Sequence, residues 1–167
     1  MGALAAKRVL EKFRELEVTH VVGLPDNGSR ALFALLDQDS GIEVVGVTRE
    51  GEAFAVAAGL FAGGCQPLVL VQNTGLLESG DAFRGTLYNM GFPVLMLVGY
   101  RGYESLGRGP GRVDTAASFL EPTLKAWDIP YWMVTGHDEL ARFNEAMAVA
   151  RERSLPAAIL YPGETTE

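Results

Sequence analysis

The sequence predicts an α/β fold: a doubly wound, mainly parallel six-stranded sheet with helices on both faces. Three observations carry this. Short runs rich in Val, Ile and Leu recur at His20–Gly23, Glu43–Val47, Pro67–Val71, Pro93–Val98, Pro130–Val134 and Pro156–Leu160, and such runs suit strands buried on both faces. Amphipathic helical patterns separate most of them, which is the alternation of strand–helix–strand units. The 167 residues are 48% apolar, enough for one globular core, so a single domain over residues 1–167 is expected.

The elements follow in order. Leu4, Val9, Leu10, Phe13 and Leu16 fall on one stripe of an opening helix, and Ala31, Leu32, Leu35 and Leu36 on one stripe of the next. Glu50–Gly63 is Ala-rich and predicts a closely packed helix ended by Gly63 and Gly64. Arg101–Arg112 carries five glycines or prolines and no period, so it predicts a mobile surface loop.

Fourteen basic against 21 acidic residues give a net charge of -7, the wrong sign for a nucleic-acid footprint. No apolar stretch reaches membrane-spanning length and the charged N-terminus lacks a signal-peptide core, so a cytoplasmic protein is expected. Cys65 is the only cysteine, which excludes an internal disulfide and disfavours a thiolate metal site. His20 and His137 have no companion ligands at metal-binding spacing, and no metal-binding residue is expected in this chain.

Familiar motifs fail one by one. Gly23–Arg30 (GLPDNGSR) lies where a phosphate loop would sit, but Ser29 and Arg30 stand where Lys and Ser or Thr are required. Neither a dinucleotide fingerprint nor a G-x-S-x-G elbow is present. What remains is polar residues after the strands, at the edge where parallel sheets place ligands: Asp26 and Asn27, Arg49 and Glu50, Gln72 to Thr74, then Tyr100 and Arg101. Helix capping is the alternative reading of Asp26, Asn27 and Glu50, and ordinary turn chemistry with Gly75 is that of Gln72, Asn73 and Thr74.

The segments TREGEAFAVAAGLFAGG (Thr48–Gly64), GLPDNGSR and LVLVQNTGLLESGDAFRG (Leu68–Gly85) together resemble the pyrimidine-binding domain of thiamine-diphosphate decarboxylases. Within them the likeness is to the sulfopyruvate decarboxylase alpha subunit and phosphonopyruvate decarboxylase family, and it covers nearly the whole chain. The most specific parts are Glu50 with Gly59, and Gln72–Leu77. The resemblance implies that Glu50 hydrogen-bonds N1′ of the cofactor's aminopyrimidine and favours the imino tautomer, which removes the thiazolium C2 proton. Glu52 is a rival carboxylate on roughly the opposite side of the helix.

By the same resemblance Asp26 and Asn27 position substrate and handle protons, while Gln72, Asn73 and Thr74 lie beside the cofactor. Arg49 and Arg101, with Arg84, Arg108 and Arg112, are candidates for an anionic substrate. The family's GDG…Asn element, which holds diphosphate through Mg²⁺, is absent; Gly80-Asp81 lacks the flanking glycine. Thiamine diphosphate and Mg²⁺ would therefore be shared with a partner, a beta-type subunit carrying the diphosphate-binding domain, within a hetero-oligomer that also contains self-association. The implied activity is decarboxylation of sulfopyruvate or a similar anionic 2-oxo acid to the aldehyde. A non-catalytic regulatory or structural module with the same fold is the alternative, and Glu50 discriminates between them.

Overall fold

The computed structural model describes residues 4–107 and 112–166. In chain order the elements are β1 (Leu4–Ala5), α1 (Ala6–Glu15), β2 (His20–Gly23), α2 (Arg30–Leu36), β3 (Glu43–Gly46), α3 (Glu50–Ala62), β4 (Pro67–Gln72), α4 (Asn73–Glu78), α5 (Gly80–Phe83), β5 (Leu95–Gly99), α6 (Thr115–Ala126), β6 (Tyr131–Met133), α7 (Arg142–Arg153), β7 (Ala157–Tyr161) and β8 (Thr165–Thr166). A π-helical turn, Arg84–Tyr88, continues α5.

The main sheet is six-stranded and wholly parallel, in the order β3-β2-β4-β5-β7-β6. Its four inner strands, β2, β4, β5 and β7, bury side chains on both faces with period two. In β4, Leu68 and Leu70 join the core beneath α1, α2 and α7, whereas Val69 and Val71 join the core beneath α3, α4 and α6. Each run of Val and Leu is therefore explained twice, once by each layer of helices. Phe54, Phe83 and Trp127 form the aromatic centre of the second layer, with Phe83 stacked on Trp127 at 5.4 Å and edge-on to Phe54 at 5.6 Å.

The chain steps outward from β2 to β3 and then crosses to β4 on the other side of β2. This reversal is a topological switch point, and it opens a crevice at the carboxyl ends of the strands. Because all six strands are parallel, every turn singled out in the sequence after a strand arrives at that one edge.

Three local expectations need correction. Leu4 is buried but belongs to β1, paired in parallel with β8, so the opening helix begins at Ala6. The buried stripe of α2 is Leu32, Phe33 and Leu36, with Ala31 and Leu35 only partly covered. The loop after β5 is not without period: Tyr103–Gly107 forms a 3-10 turn, and Ser105 clips it by donating to the Gly102 carbonyl at 2.7 Å and accepting from the Asp114 N–H at 2.9 Å. Arg108 lies outside the described residues. No helix of the described residues is long and apolar enough to cross a membrane.

Candidate active site

The turn after β2 begins where a side chain is impossible: a Cβ on Gly23 would overlap the Leu70 carbonyl of the neighbouring strand. The chain then folds around Asp26, whose Oδ1 accepts from the N–H groups of Gly28 at 2.6 Å and Ser29 at 2.9 Å. The backbone N–H of Asp26 donates in return to the Ser29 hydroxyl at 3.1 Å. Asp26 is thus a turn-former through one oxygen, while its Oδ2 is buried and has no hydrogen-bond partner in the chain. Asn27 is exposed and accepts from Arg30 at 2.9 Å.

At the start of α3 the two rival carboxylates separate by role. Glu52 accepts from the Thr48 N–H at 2.9 Å, from the Thr48 hydroxyl, and from the Arg49 N–H at 3.2 Å. These bonds cap the helix and hold the Glu52 carboxyl below its ordinary range, the Thr48 N–H contributing most. Glu50 takes no hydrogen bond among the described residues. Its side chain lies half-buried across Gly75 in α4, where a Cβ would overlap Glu50 Cγ and stand 2.6 Å from Cδ and 2.7 Å from Oε1. Gly75 is therefore the seat of Glu50: only a residue without a side chain leaves room for the carboxylate in this position. Arg49, beside it, is exposed and ion-paired with Glu78.

The turn after β4 braces the turn after β5. Asn73 is fully buried, donates to the Arg101 carbonyl at 2.9 Å and accepts from the Thr74 N–H at 3.0 Å. Thr74 donates its hydroxyl to Gln72 Oε1 at 2.9 Å. The Arg101 guanidinium is 62% exposed and lies 3.9 Å from Asp114, the N-cap of α6. Gly102 permits this approach, since it sits at φ +80° and a Cβ there would stand 2.6 Å from the Asp114 side chain. Behind it, Tyr100 and Tyr131 both donate to the Glu121 carboxylate, at 3.1 and 2.7 Å. Burial, with the Glu121 charge, pushes the Tyr131 phenol up to about 12 and Tyr100 upward as well.

A cleft of about 1390 Å³ opens over the ends of β2, β4, β5 and β7. Of the residues expected at a site, Asp26, Asn27, Gln72 and Arg101 line it together with Arg112. Glu50, Arg49, Asn73 and Thr74 do not. The edge thus divides in two: a polar cleft suited to a small hydrophilic molecule, and beside it an unengaged carboxylate at a helix N-terminus. Arg49 and Arg84 are held by Glu78 and Asp81, and Asn73 by the chain itself. Sequence reasoning missed Gly75, Asp114 and Glu121. Nothing in their spacing marked them, because each acts through a neighbour from another element. Among the described residues no group of three or more His, Cys, Asp or Glu could hold a metal ion.

Residues 4–120 match the family described as thiamine pyrophosphate enzyme, N-terminal TPP binding domain. The chain is 25% identical over 161 residues to the sulfopyruvate decarboxylase subunit alpha of Methanocaldococcus jannaschii, covering 96% of this chain and 92% of that subunit. It is 33% identical over 154 residues to the phosphonopyruvate decarboxylase of Streptomyces viridochromogenes, covering 88% of this chain and 37% of that enzyme. The fold superposes on benzoylformate decarboxylase from Polynucleobacter necessarius with a TM-score of 0.74 at 20% identity, covering 99% of this chain and 32% of that one. The chain therefore spans nearly the whole of the first relative and about a third of the length of the other two.

Proposed function

The chain belongs to the thiamine pyrophosphate enzymes, as their N-terminal TPP binding domain, and from that premise we propose that it is the aminopyrimidine-binding subunit of a 2-oxo-acid decarboxylase, active with a partner chain. The observation that carries this is Glu50: a carboxylate at the first residue of α3, seated on Gly75 and taking no hydrogen bond among the described residues, while Glu52 two positions away is fully engaged in capping. Such a group fits a ring nitrogen that must be protonated.

Thiamine diphosphate, when bound, supplies a nucleophilic carbon and an electron sink for the loss of CO₂. Glu50 holds and exchanges a proton at N1′ of the aminopyrimidine, as a general acid–base group. Asp26 and Asn27 stand on the cleft floor, where they orient substrate and handle the proton that completes the product. Gln72, with Thr74 fixing its amide, borders the same cleft. Arg101 offers the guanidinium that a sulfonate or carboxylate requires, held toward the cleft by Asp114 and by the Asn73 brace on its carbonyl. Arg49 lies in the next turn and would serve an anion only on leaving Glu78.

The substrate read from these features is sulfopyruvate or a related anionic 2-oxo acid, in keeping with the names of the relatives. Mg²⁺ and the diphosphate would be held by a beta-type subunit, since this chain lacks the GDG…Asn element. The reading is tested by mixing the chain with a GDG-bearing candidate subunit, thiamine diphosphate, Mg²⁺ and sulfopyruvate, and following CO₂. Release that depends on both chains and falls by about 100-fold or more in Glu50→Gln is expected. No release with any cognate partner would leave the non-catalytic module as the better description.

A further inference from the structure

Beneath the cleft floor lies a second polar feature that the decarboxylase reading does not use. Tyr161 ends β7 fully buried, and its hydroxyl makes no hydrogen bond of normal geometry in the chain, with only the Ser29 hydroxyl interacting weakly with it. Asp26 Oδ2, the oxygen not engaged in the β2 turn, is likewise buried and unpartnered. The Asp26 carboxyl and the Tyr161 phenol flank one glycine, Gly28. A Cβ on Gly28 would stand 3.2 Å from Asp26 Oδ1 and 3.8 Å from Tyr161 Oη, and a Cβ on Gly99 would stand 3.2 Å from the same Oη. Gly28 and Gly99 both line the cleft. The phenol is thus aimed at a floor from which side chains are missing in the turn after β2 and at the end of β5.

Two buried oxygens without partners are costly to keep, and folded proteins satisfy such groups. They do not bond each other directly. A single molecule that accepts from one and donates to the other satisfies both, and water is the smallest that does. The polarity is fixed by the groups themselves. Burial, reinforced by the Asp26 charge, pushes the Tyr161 phenol well above its ordinary range, so it remains an O–H donor. Asp26 Oδ2 is the acceptor, and its negative charge turns away anions.

We propose that Tyr161 Oη and Asp26 Oδ2 form a two-oxygen subsite beneath the Gly28–Gly99 floor, that the subsite holds one water-sized, neutral hydrogen-bonding molecule, and that Tyr161 is thereby a positioning residue for Asp26. The molecule accepts from Tyr161, donates to Asp26 and keeps a further bond for the cleft. Asp26 is then held through both oxygens, Oδ1 by the turn and Oδ2 by the subsite. The catalytic consequence, a fixed Asp26 beside the reacting substrate, rests on the decarboxylase reading; the subsite itself does not.

Tyr161→Phe tests both parts, because it removes one oxygen and leaves the packing. High-resolution crystal structures of the full chain should show an ordered water within hydrogen-bond distance of both oxygens in the wild type and none in Tyr161→Phe. Absence of any molecule between the two oxygens in the wild type overturns the subsite. In the complex with its partner, Tyr161→Phe should lower kcat by about ten-fold, the upper end of what one hydrogen bond between neutral groups is worth, with KM changed less than about two-fold and with Tm not lowered. An unchanged kcat overturns the positioning role, and so does a loss of kcat that merely follows a fall in Tm. If the wild-type complex releases no CO₂, that failure belongs to the decarboxylase reading, and the crystallographic comparison still decides the subsite.

Discussion

The identity of one residue, Gly75, decides what Glu50 can do. The Glu50 side chain occupies the space where a Cβ at Gly75 would lie, so Gly75→Ala must turn the carboxylate away. Displacing a side chain from its rotamer costs about 0.5–1.5 kcal/mol, while Ala in place of Gly inside a helix gains about 0.5–1 kcal/mol. The two nearly cancel. Gly75→Ala is therefore expected to leave Tm close to the wild-type value and to weaken thiamine diphosphate binding in the assembled enzyme about ten-fold or more, measured by titration of each. The neighbouring carboxylate shows why residue type alone could not settle the assignment. Glu50 and Glu52 look alike in the sequence, and it is the Thr48 and Arg49 donors that engage one and leave the other free. A capping box is legible when Ser or Thr stands at the N-cap, but here that place is Arg49.

At the scale of elements, the α3 N-terminus has a stability signature that depends on pH. The Glu52 carboxyl has an ordinary value near 4.5 and is held below it in the folded chain. Its contribution is therefore present above the ordinary value and is lost as pH falls through the lower, folded one. The difference in Tm between wild type and Glu52→Gln should be full at about pH 7 and shrink progressively as the pH is lowered below the ordinary carboxylate range; a difference that does not shrink in acid contradicts the cap. The inner strands are legible because burial on both faces leaves runs of Val and Leu with no competing pattern. Helix α3 was legible from its small residues and closing glycines. β1 and β8 were not: two-residue strands at the two ends of the described chain carry no period, and their pairing depends on Thr165, which donates to the Gly28 carbonyl at 2.9 Å. For the same reason Leu4 was given to α1, since its burial is right and only its partner was unreadable.

For the whole molecule, the parallel sheet explains why four of the candidate residues could be expected together at one edge. Once every strand points the same way, Asp26, Asn27, Gln72 and Arg101 must arrive at one edge, and they do. What sequence could not foresee is the division of that edge, with Asn73 drawn into the interior as a brace and Glu50 set beside the cleft rather than within it. A carboxylate that does not line the cleft is what the proposed function requires of a cofactor shared with a partner chain. On that account the isolated chain binds the cofactor weakly and the assembled complex binds it well. The most direct test is the rate at which thiamine diphosphate bound to the assembled complex exchanges its C2 proton with D₂O, followed by NMR after acid quench. Glu50→Gln should slow this exchange by about 100-fold or more with the cofactor still bound; exchange at the wild-type rate in Glu50→Gln would contradict the role assigned to Glu50.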